Sequence, residues 1–341
     1  MSLIFCPECQ KSVSDRANTC PHCGYPIREM FEEIYLDDFE IENGVLKKYI
    51  GKNKVVNIPK SINRIGDKAF ISSEIEAVNI PNTVTEIGES SFWNCSKITS
   101  ISIPDSVKKI GNNAFACCDN LKNVSIPNDI ESIGNGTFSR CRNLQGTIES
   151  HILFLGNHLN PYLIAYKLTS KELEYYDVTI NRNCRFIHSD AFSDSKIKNI
   201  KFEPNSCLKT VCDSAFEYCE TPSLVFPNTL CNIEAHAFAQ SKISTIELSN
   251  NIEYIPFMAF YNSELRSIKI PENVKTIEMN AFLDCQRLLN VEMSESVSLM
   301  YPNQGTEGTF NGCPGNLCVC APKNSYAQKF AKDNRISFKE L

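Results

Sequence analysis

Nowhere does this chain hold an uncharged apolar run long enough to cross a bilayer. Its first residues, Met1-Ser2-Leu3-Ile4-Phe5-Cys6, have neither a basic leader nor a long apolar core, so no secretory signal is visible and a cytoplasmic location is expected. Positive charge is not in excess: 34 Lys and Arg stand against 40 Asp and Glu, a net charge of −6. That balance argues against broad, charge-driven binding to nucleic acid or to an anionic membrane. Glycine-rich phosphate loops are missing. His151, His158, His188 and His236 are scattered, and no nucleophile, base and orienting group fall into a motif, so no enzyme is expected.

What the chain does have is a rhythm. A phenylalanine preceded by a small residue returns at Phe70, Phe92, Phe115, Phe138, Phe192, Phe216, Phe238, Phe260, Phe282 and Phe310, and seven of the nine intervals are 22 to 24 residues. A unit that short cannot hold a core of its own. Neighbouring units must stack and share one apolar interior.

The stretch from Val78 to Ile98 shows a whole unit. Val78 and Ile80 alternate with polar residues, the pattern of a short strand with one buried face, and Pro81 ends it because proline cannot donate to the next rung. Val84 and Ile87 turn inward on the opposite wall, Gly88 allows a tight bend, and Phe92 fills the centre. The same offsets give Val56, Ile58, Ile62 and Ile65 before Phe70, and Ile268, Ile270, Val274 and Ile277 before Phe282. Glycine at the bend gives way later to His188, Cys212, Glu234, Pro256 and Glu278, so the bend must suit ordinary residues. Three residues after the phenylalanine stands Cys95, Cys118, Cys141, Cys219, Cys285 or Cys313, or else Ser73, Ser195, Ser241 or Ser263. That interchange points to a small buried slot. Rung spacing also falls inside the Cα range of a disulfide, which leaves oxidative cross-linking open at Cys95, Cys118 and Cys141, against a reducing cytoplasm.

These positions and their spacing resemble the BspA-type leucine-rich repeat family over about residues 39–341. The resemblance implies a mainly β fold, a horseshoe solenoid of parallel strands, and a role in protein binding or adhesion. Asn43-Gly44 between alternating segments marks a hairpin that caps the first unit. At the other end Ser325 to Lys332 has helical spacing and Ile336 to Phe338 reads as a last strand. The 54 residues between Phe138 and Phe192 hold an insertion, with a hairpin around Asn157 to Asn160. It reads either as a protruding contact element anchored by Phe154, Tyr162 and Tyr166, or as a hairpin that packs those aromatics on the solenoid.

Cys6-Pro7-Glu8-Cys9 and Cys20-Pro21-His22-Cys23 form twin C-x2-C turns ten residues apart. Four thiolates aimed at one point meet the tetrahedral demand of Zn2+, and all four places are filled, so the one ion is structural. About thirty residues are too few for a hydrophobic core, and the metal would hold the module together. The segment resembles the small zinc ribbons at the front of many bacterial proteins.

The expected organisation is a zinc ribbon at 1–27, a linker at 28–38, a solenoid at 39–321 with a hairpin insertion at about 147–177, and a cap at 322–341. The expected function is a non-catalytic protein-interaction scaffold, with the ribbon as a second contact module. Its partner would meet the outward residues of the concave strands, Asn79, Ser102, Ser125, Lys201, Glu247, Lys269 and Glu292 among them, or the hairpin. The alternatives are a nucleic-acid-associated regulator read through the ribbon, and a surface adhesin exported by a route this sequence does not show.

Overall fold

Two backbone reversals place each phenylalanine of the rhythm in the interior. In the computed structural model, which describes residues 3–5, 9, 11–14, 17, 19–24, 36–170 and 174–341, the residues two before and two after it take positive φ. Around Phe70 these are Lys68 at 60° and Ser72 at 54°, and around Phe260 they are Met258 at 51° and Asn262 at 48°. The left-handed region is unfavourable for such residues, so the surrounding bonds must hold them there. The alternation turns successive amides the same way. Lys68, Phe70 and Ser72 donate to the carbonyls of Glu89, Ser91 and Trp93 on the next coil, at 2.8, 2.7 and 2.8 Å. Phe192, Phe216, Phe238 and Phe260 likewise donate to Ala215, Ala237, Ala259 and Ala281, each at 2.8 Å. The residue before the phenylalanine is small because its carbonyl receives this bond while its side chain is buried, as at Ala114 and Ala215.

The chain divides into two units, Met1–Leu144 and Gln145–Leu341. In the first, Phe70, Phe92, Phe115 and Phe138 stack with centroids 4.8, 5.1 and 5.6 Å apart and planes within 9°. In the second, the stack from Phe192 through Phe216, Phe238, Phe260 and Phe282 to Phe310 has spacings of 5.0 to 5.5 Å. Each contact of this kind adds about 0.5–1.5 kcal/mol beyond the area it buries.

Two rows of parallel strands flank the rings. Three-residue strands such as Val55–Asn57, Ser100–Ser102 and Ser267–Lys269 bury the middle residue and expose the outer two, and Ala77–Asn79 differs only in that Ala77 is half-buried. Two-residue strands, Arg64–Ile65, Glu86–Ile87, Lys109–Ile110 and Ser132–Ile133 in the first unit, form the opposite row, paired in register. The glycine after this second strand is not needed for a left-handed bend, since neither Gly88 nor Gly111 has positive φ. It is needed for close approach: a Cβ on Gly88 would lie 2.7 Å from the Asp67 amide nitrogen, and one on Gly111 2.6 Å from that of Glu89.

In the second unit this position carries side chains, and the two glutamates among them take up the backbone group instead. The Glu234 carboxylate accepts the Asp213 N–H at 3.0 Å and that of Glu278 accepts the Phe257 N–H at 2.8 Å. Burial pushes the Glu234 carboxyl up to about 7, against the lowering effect of the Asp213 amide. The folded state therefore holds an extra proton between about pH 4.5 and 7, and stability falls as pH rises through that window. A melting series across it should show a decline in wild type that Glu234→Gln removes, at about 2–4 °C per kcal/mol for a unit of this size. Parallel curves for the two proteins would refute the assignment.

Each unit's coils open on the same device. Phe39–Glu42 and Val45–Tyr49 form an antiparallel hairpin around Asn43 and Gly44, with φ of 51° and 77°. Its second strand pairs parallel with Arg64–Ile65, and Tyr49 N–H covers the Ala69 carbonyl at 2.8 Å. The segment expected as an insertion repeats this arrangement. Ile152–Leu155 and Ile164–Leu168 form an antiparallel hairpin, the second strand pairs parallel with Phe186–Ile187, and Leu168 N–H donates to the Ala191 carbonyl at 3.3 Å. Residues 147–168 thus begin a second array.

The second unit ends in the helix Tyr326–Asp333 and the strand Ser337–Glu340, which pairs parallel with Cys318–Ala321. Ser325 Oγ caps the helix by accepting the Gln328 N–H at 3.2 Å. Ala327, Phe330 and Ala331 are buried, and the Phe330 ring meets Phe310 edge-on at 6.2 Å. Among the described residues no helix is long and apolar enough to cross a membrane.

Candidate metal centre and partner-binding face

Near the amino terminus Leu3–Phe5 and Ser12–Ser14 pair antiparallel, with Ile4 opposite Val13. The Sγ atoms of Cys9, Cys20 and Cys23 lie within 4.8 Å of one another, and those of Cys9 and Cys20 are 3.6 Å apart. Thiolates at the usual Zn–S distance of about 2.3 Å stand about 3.8 Å apart at a tetrahedral angle, so the spacing fits that ion. The second turn is held by Gly24 N–H to the Cys20 carbonyl at 2.9 Å, with Gly24 at φ 79°. His22 is exposed and gives its backbone N–H to Cys20 Sγ at 3.4 Å. Burial raises the Cys20 thiol, but the backbone amides of His22 and Cys23 and the thiols of Cys23 and Cys9 outweigh it and bring it down to about 7. Such a thiol is readily a thiolate ligand. The fourth expected ligand, Cys6, lies outside the described residues.

The expected contact residues divide sharply. Asn79, Ser102, Glu247 and Lys269 are exposed on the three-residue strands and Lys201 on the longer strand Lys196–Phe202, and Ser125 and Glu292 are half-exposed. Much of this row satisfies itself from coil to coil. Asn79 Nδ2 donates to Asn57 Oδ1 at 2.6 Å, and Lys269 Nζ sits 3.1 Å from Glu292 Oε1. Exposed pairs of that kind contribute about 0–1 kcal/mol. The hairpin aromatics are a correction to the contact-element reading. Phe154 is fully buried and Tyr166 nearly so, Tyr162 is half-buried, and the Phe154 and Tyr162 rings meet edge-on at 5.5 Å. The alternation that looked like anchors is the inner face of an opening hairpin, so Phe154 and Tyr166 offer a partner no surface.

One place on the row escaped the sequence reading. Lys196–Phe202 and Ser223–Val225 are successive coils, yet they are not paired as strands, and the ladder between them stops at Ile197 N–H to the Glu220 carbonyl, 3.0 Å. A groove of about 580 Å³ opens there, lined by Lys201, Phe202, Pro204, Val225, Phe226 and Pro227 among others. Val225 is 55% exposed at a position where Glu247 and Lys269 stand on later coils. The signal in the sequence was Val225, a valine in an outward place in the unit that follows the 24-residue interval from Phe192 to Phe216.

The cysteine slot has a physical cause beyond size. Cys95, Cys118 and Cys141 Sγ donate to the carbonyls of Phe70, Phe92 and Phe115 on the preceding coil, at 3.0, 3.2 and 3.0 Å. Serine in the slot does otherwise: Ser195 Oγ donates to the Phe192 carbonyl of its own coil at 2.5 Å, while Ser73 and Ser263 Oγ meet the Sγ atoms of Cys95 and Cys285 on the next coil at 3.6 and 3.5 Å. Cys95, Cys118, Cys219 and Cys285 are in no disulfide. Burial holds Cys285 at about 11 and Cys219 at about 12, so they stay protonated and unreactive. The buried His188 is held neutral by the same cause, down to about 4, while His236 Nδ1 lies 3.3 Å from Asp213 Oδ1.

Residues 29–160 and 185–314 match the family described as BspA type leucine-rich repeat region, in six copies. The chain belongs to the BspA-type leucine-rich repeat family. Residues 2–27 match a zinc-ribbon domain, so this BspA-type protein carries the ribbon ahead of its repeats. A Haemophilus influenzae relative, named only "Uncharacterized protein", is 42% identical over 40 residues, which are 12% of this chain and 53% of the relative. The chain thus spans about half the length of that curated relative. Among solved structures it resembles a leucine-rich cell surface protein of Faecalibacterium prausnitzii, at 21% identity and a TM-score of 0.37, covering 88% of this chain and 95% of that one. It also resembles a leucine-rich repeat protein of Bacteroides ovatus, at 23% identity and a TM-score of 0.40, covering 87% of each. These likenesses concern the repeat fold.

Proposed function

We propose that this BspA-type protein is a non-catalytic scaffold that binds another protein, and that the groove beside Val225 is where the contact centres. The groove carries the reading because a gap between coils coincides there with apolar, outward-facing walls, whereas much of the rest of the row pairs polar side chains from coil to coil. Lys196–Phe202 pairs with Glu174–Ile180 and Ser223–Val225 with Thr245–Glu247, so the two edges that face each other across the groove have no strand ladder between them, and Phe202, Val225 and the two prolines give it apolar walls. An extended segment with an apolar side chain matches both features, since its main chain would take up edge hydrogen bonds and its side chain the wall. The zinc ribbon, with Cys6, Cys9, Cys20 and Cys23 around one structural zinc, supplies a second contact module. A reducing, cytoplasmic setting accords with the free thiols, of which Cys207 and Cys231 are exposed.

Affinity capture with the full chain tests this. A protein retained by wild type should be lost with Val225→Asp and kept with Ser100→Asp in the first unit, a drop of at least tenfold, about 1.4 kcal/mol. Equal retention by both variants would remove the groove from the interface.

A further inference from the structure

We propose that Cys318 and Cys320 form a two-thiolate site for a soft, monovalent cation of the copper(I) class. Both lie on the strand Cys318–Ala321, where Val319 and Ala321 are fully buried and the two cysteines stand half-exposed on the outward face. The strand is fixed from both sides, by Asn290–Glu292 and by Ser337–Glu340, in unbroken parallel register. Their Sγ atoms are 4.0 Å apart. Two sulfurs at about 2.3 Å from a shared ion are about 3.8 Å apart at a tetrahedral angle and about 4.6 Å apart when collinear. The observed separation falls inside that window without movement of the backbone.

Composition alone does not account for the pair. Cysteine is among the most buried residue types, and in the repeat slots of this chain it behaves so. On the outward face other coils carry Thr245 and Glu247, Ser267 and Lys269, or Asn290 and Glu292, and only here do both places hold thiols. The choice of ion follows from ligand number and softness. Among the described residues no third His, Cys, Asp or Glu completes a cluster with this pair, whereas zinc seeks four ligands and harder divalent ions seek oxygen. Two thiolates suit a soft cation content with few ligands.

Binding is a proton exchange with no redox step. Each thiol S–H bond breaks, two S–metal bonds form, and two protons leave to solvent, so two neutral thiols and one monovalent ion become a bis-thiolate complex of charge −1. Lys339 is paired in register with Cys320 on one side and faces that charge, while Glu292 on the other side is engaged by Lys269 at 3.1 Å.

The test uses the full chain with its ribbon loaded with zinc, under anaerobic reducing conditions. Copper(I) is supplied as its bathocuproine disulfonate complex, and bound copper and released zinc are measured together. Wild type should take up one more equivalent than Cys318→Ser/Cys320→Ser without releasing zinc. Serine is already borne on this row at Ser223 and Ser267, so the variant is expected to fold. In unmutated protein, copper should also protect Cys318 and Cys320 from alkylation, read by peptide mass spectrometry, at least tenfold. Equal uptake by both proteins, uptake only in step with zinc loss, or unchanged alkylation would each overturn the proposal.

Discussion

Replacing Phe260 by alanine is expected to destabilise the second unit by about 3–5 kcal/mol, the usual cost of deleting a buried ring. The ring is 1% exposed and stacks on both sides, on Phe238 and Phe282 at 5.2 Å each, so neither neighbour can close the gap without breaking its own stack. The Ala281 carbonyl would keep its bond from residue 260, because that bond is backbone, and the coil should hold its path around a cavity. Far-UV circular dichroism should show part of the unfolding moving down by on the order of 10 °C. The chain's one tryptophan, Trp93, lies in the first unit, and its fluorescence transition should stay where it is in wild type. A fluorescence transition that moves with the rest would mean that the two units melt as one.

Removing zinc should act on the amino-terminal module alone. The apparent binding free energy of such a module is about 10–16 kcal/mol, larger than the whole stability of a small domain, so metal and fold are lost together. Protein purified without chelator should contain one zinc per chain. Stripping it, or replacing Cys20 by alanine, should open cleavage sites before residue 36 while leaving the Trp93 transition and the far-UV melt unchanged. A zinc content near zero would discard the ribbon as a metal site. An array that melts earlier after stripping would show the metal supporting more than its own module.

Much of this was written in the periodicity of the chain. Val78, Val84, Ile87 and Phe92 point inward as their spacing says, because a buried position repeats once per coil whatever the neighbours are. The reason for Gly88 was not legible. Its sequence context suggests a bend, while the structure shows a clearance of one backbone against the next, a distance between residues 21 positions apart. The opening hairpin at residues 152–168 was seen as a hairpin but not as the start of an array. Its equivalence to residues 39–49 lies in pairing partners, Ala165 with Ile187 and Leu46 with Ile65, and not in side-chain likeness. Of the two readings open for Phe154 and Tyr166, packing is the one that holds, and the sequence alone left the choice open because alternation reports one buried face without saying what covers it. The three described ribbon cysteines are brought together as the paired motifs require: the second C-x2-C turn fixes Cys20 and Cys23 locally, and Cys9 meets them from eleven positions away.

The one-way run of amides through the phenylalanine segments makes the two ends of an array chemically unlike. One end presents oxygen and the other presents hydrogen. The leading carbonyls, at Ala69 and Ala191, are met by hairpin amides, whereas the trailing amide of Phe310 is met by the side-chain oxygen of Asn303 at 3.1 Å. A polymer with such polarity can be lengthened or shortened by whole coils at no cost to its internal order, but a coil inserted backwards would set like against like. Gene duplication can therefore write longer versions of this chain freely, provided each copy keeps its heading and its two different stoppers.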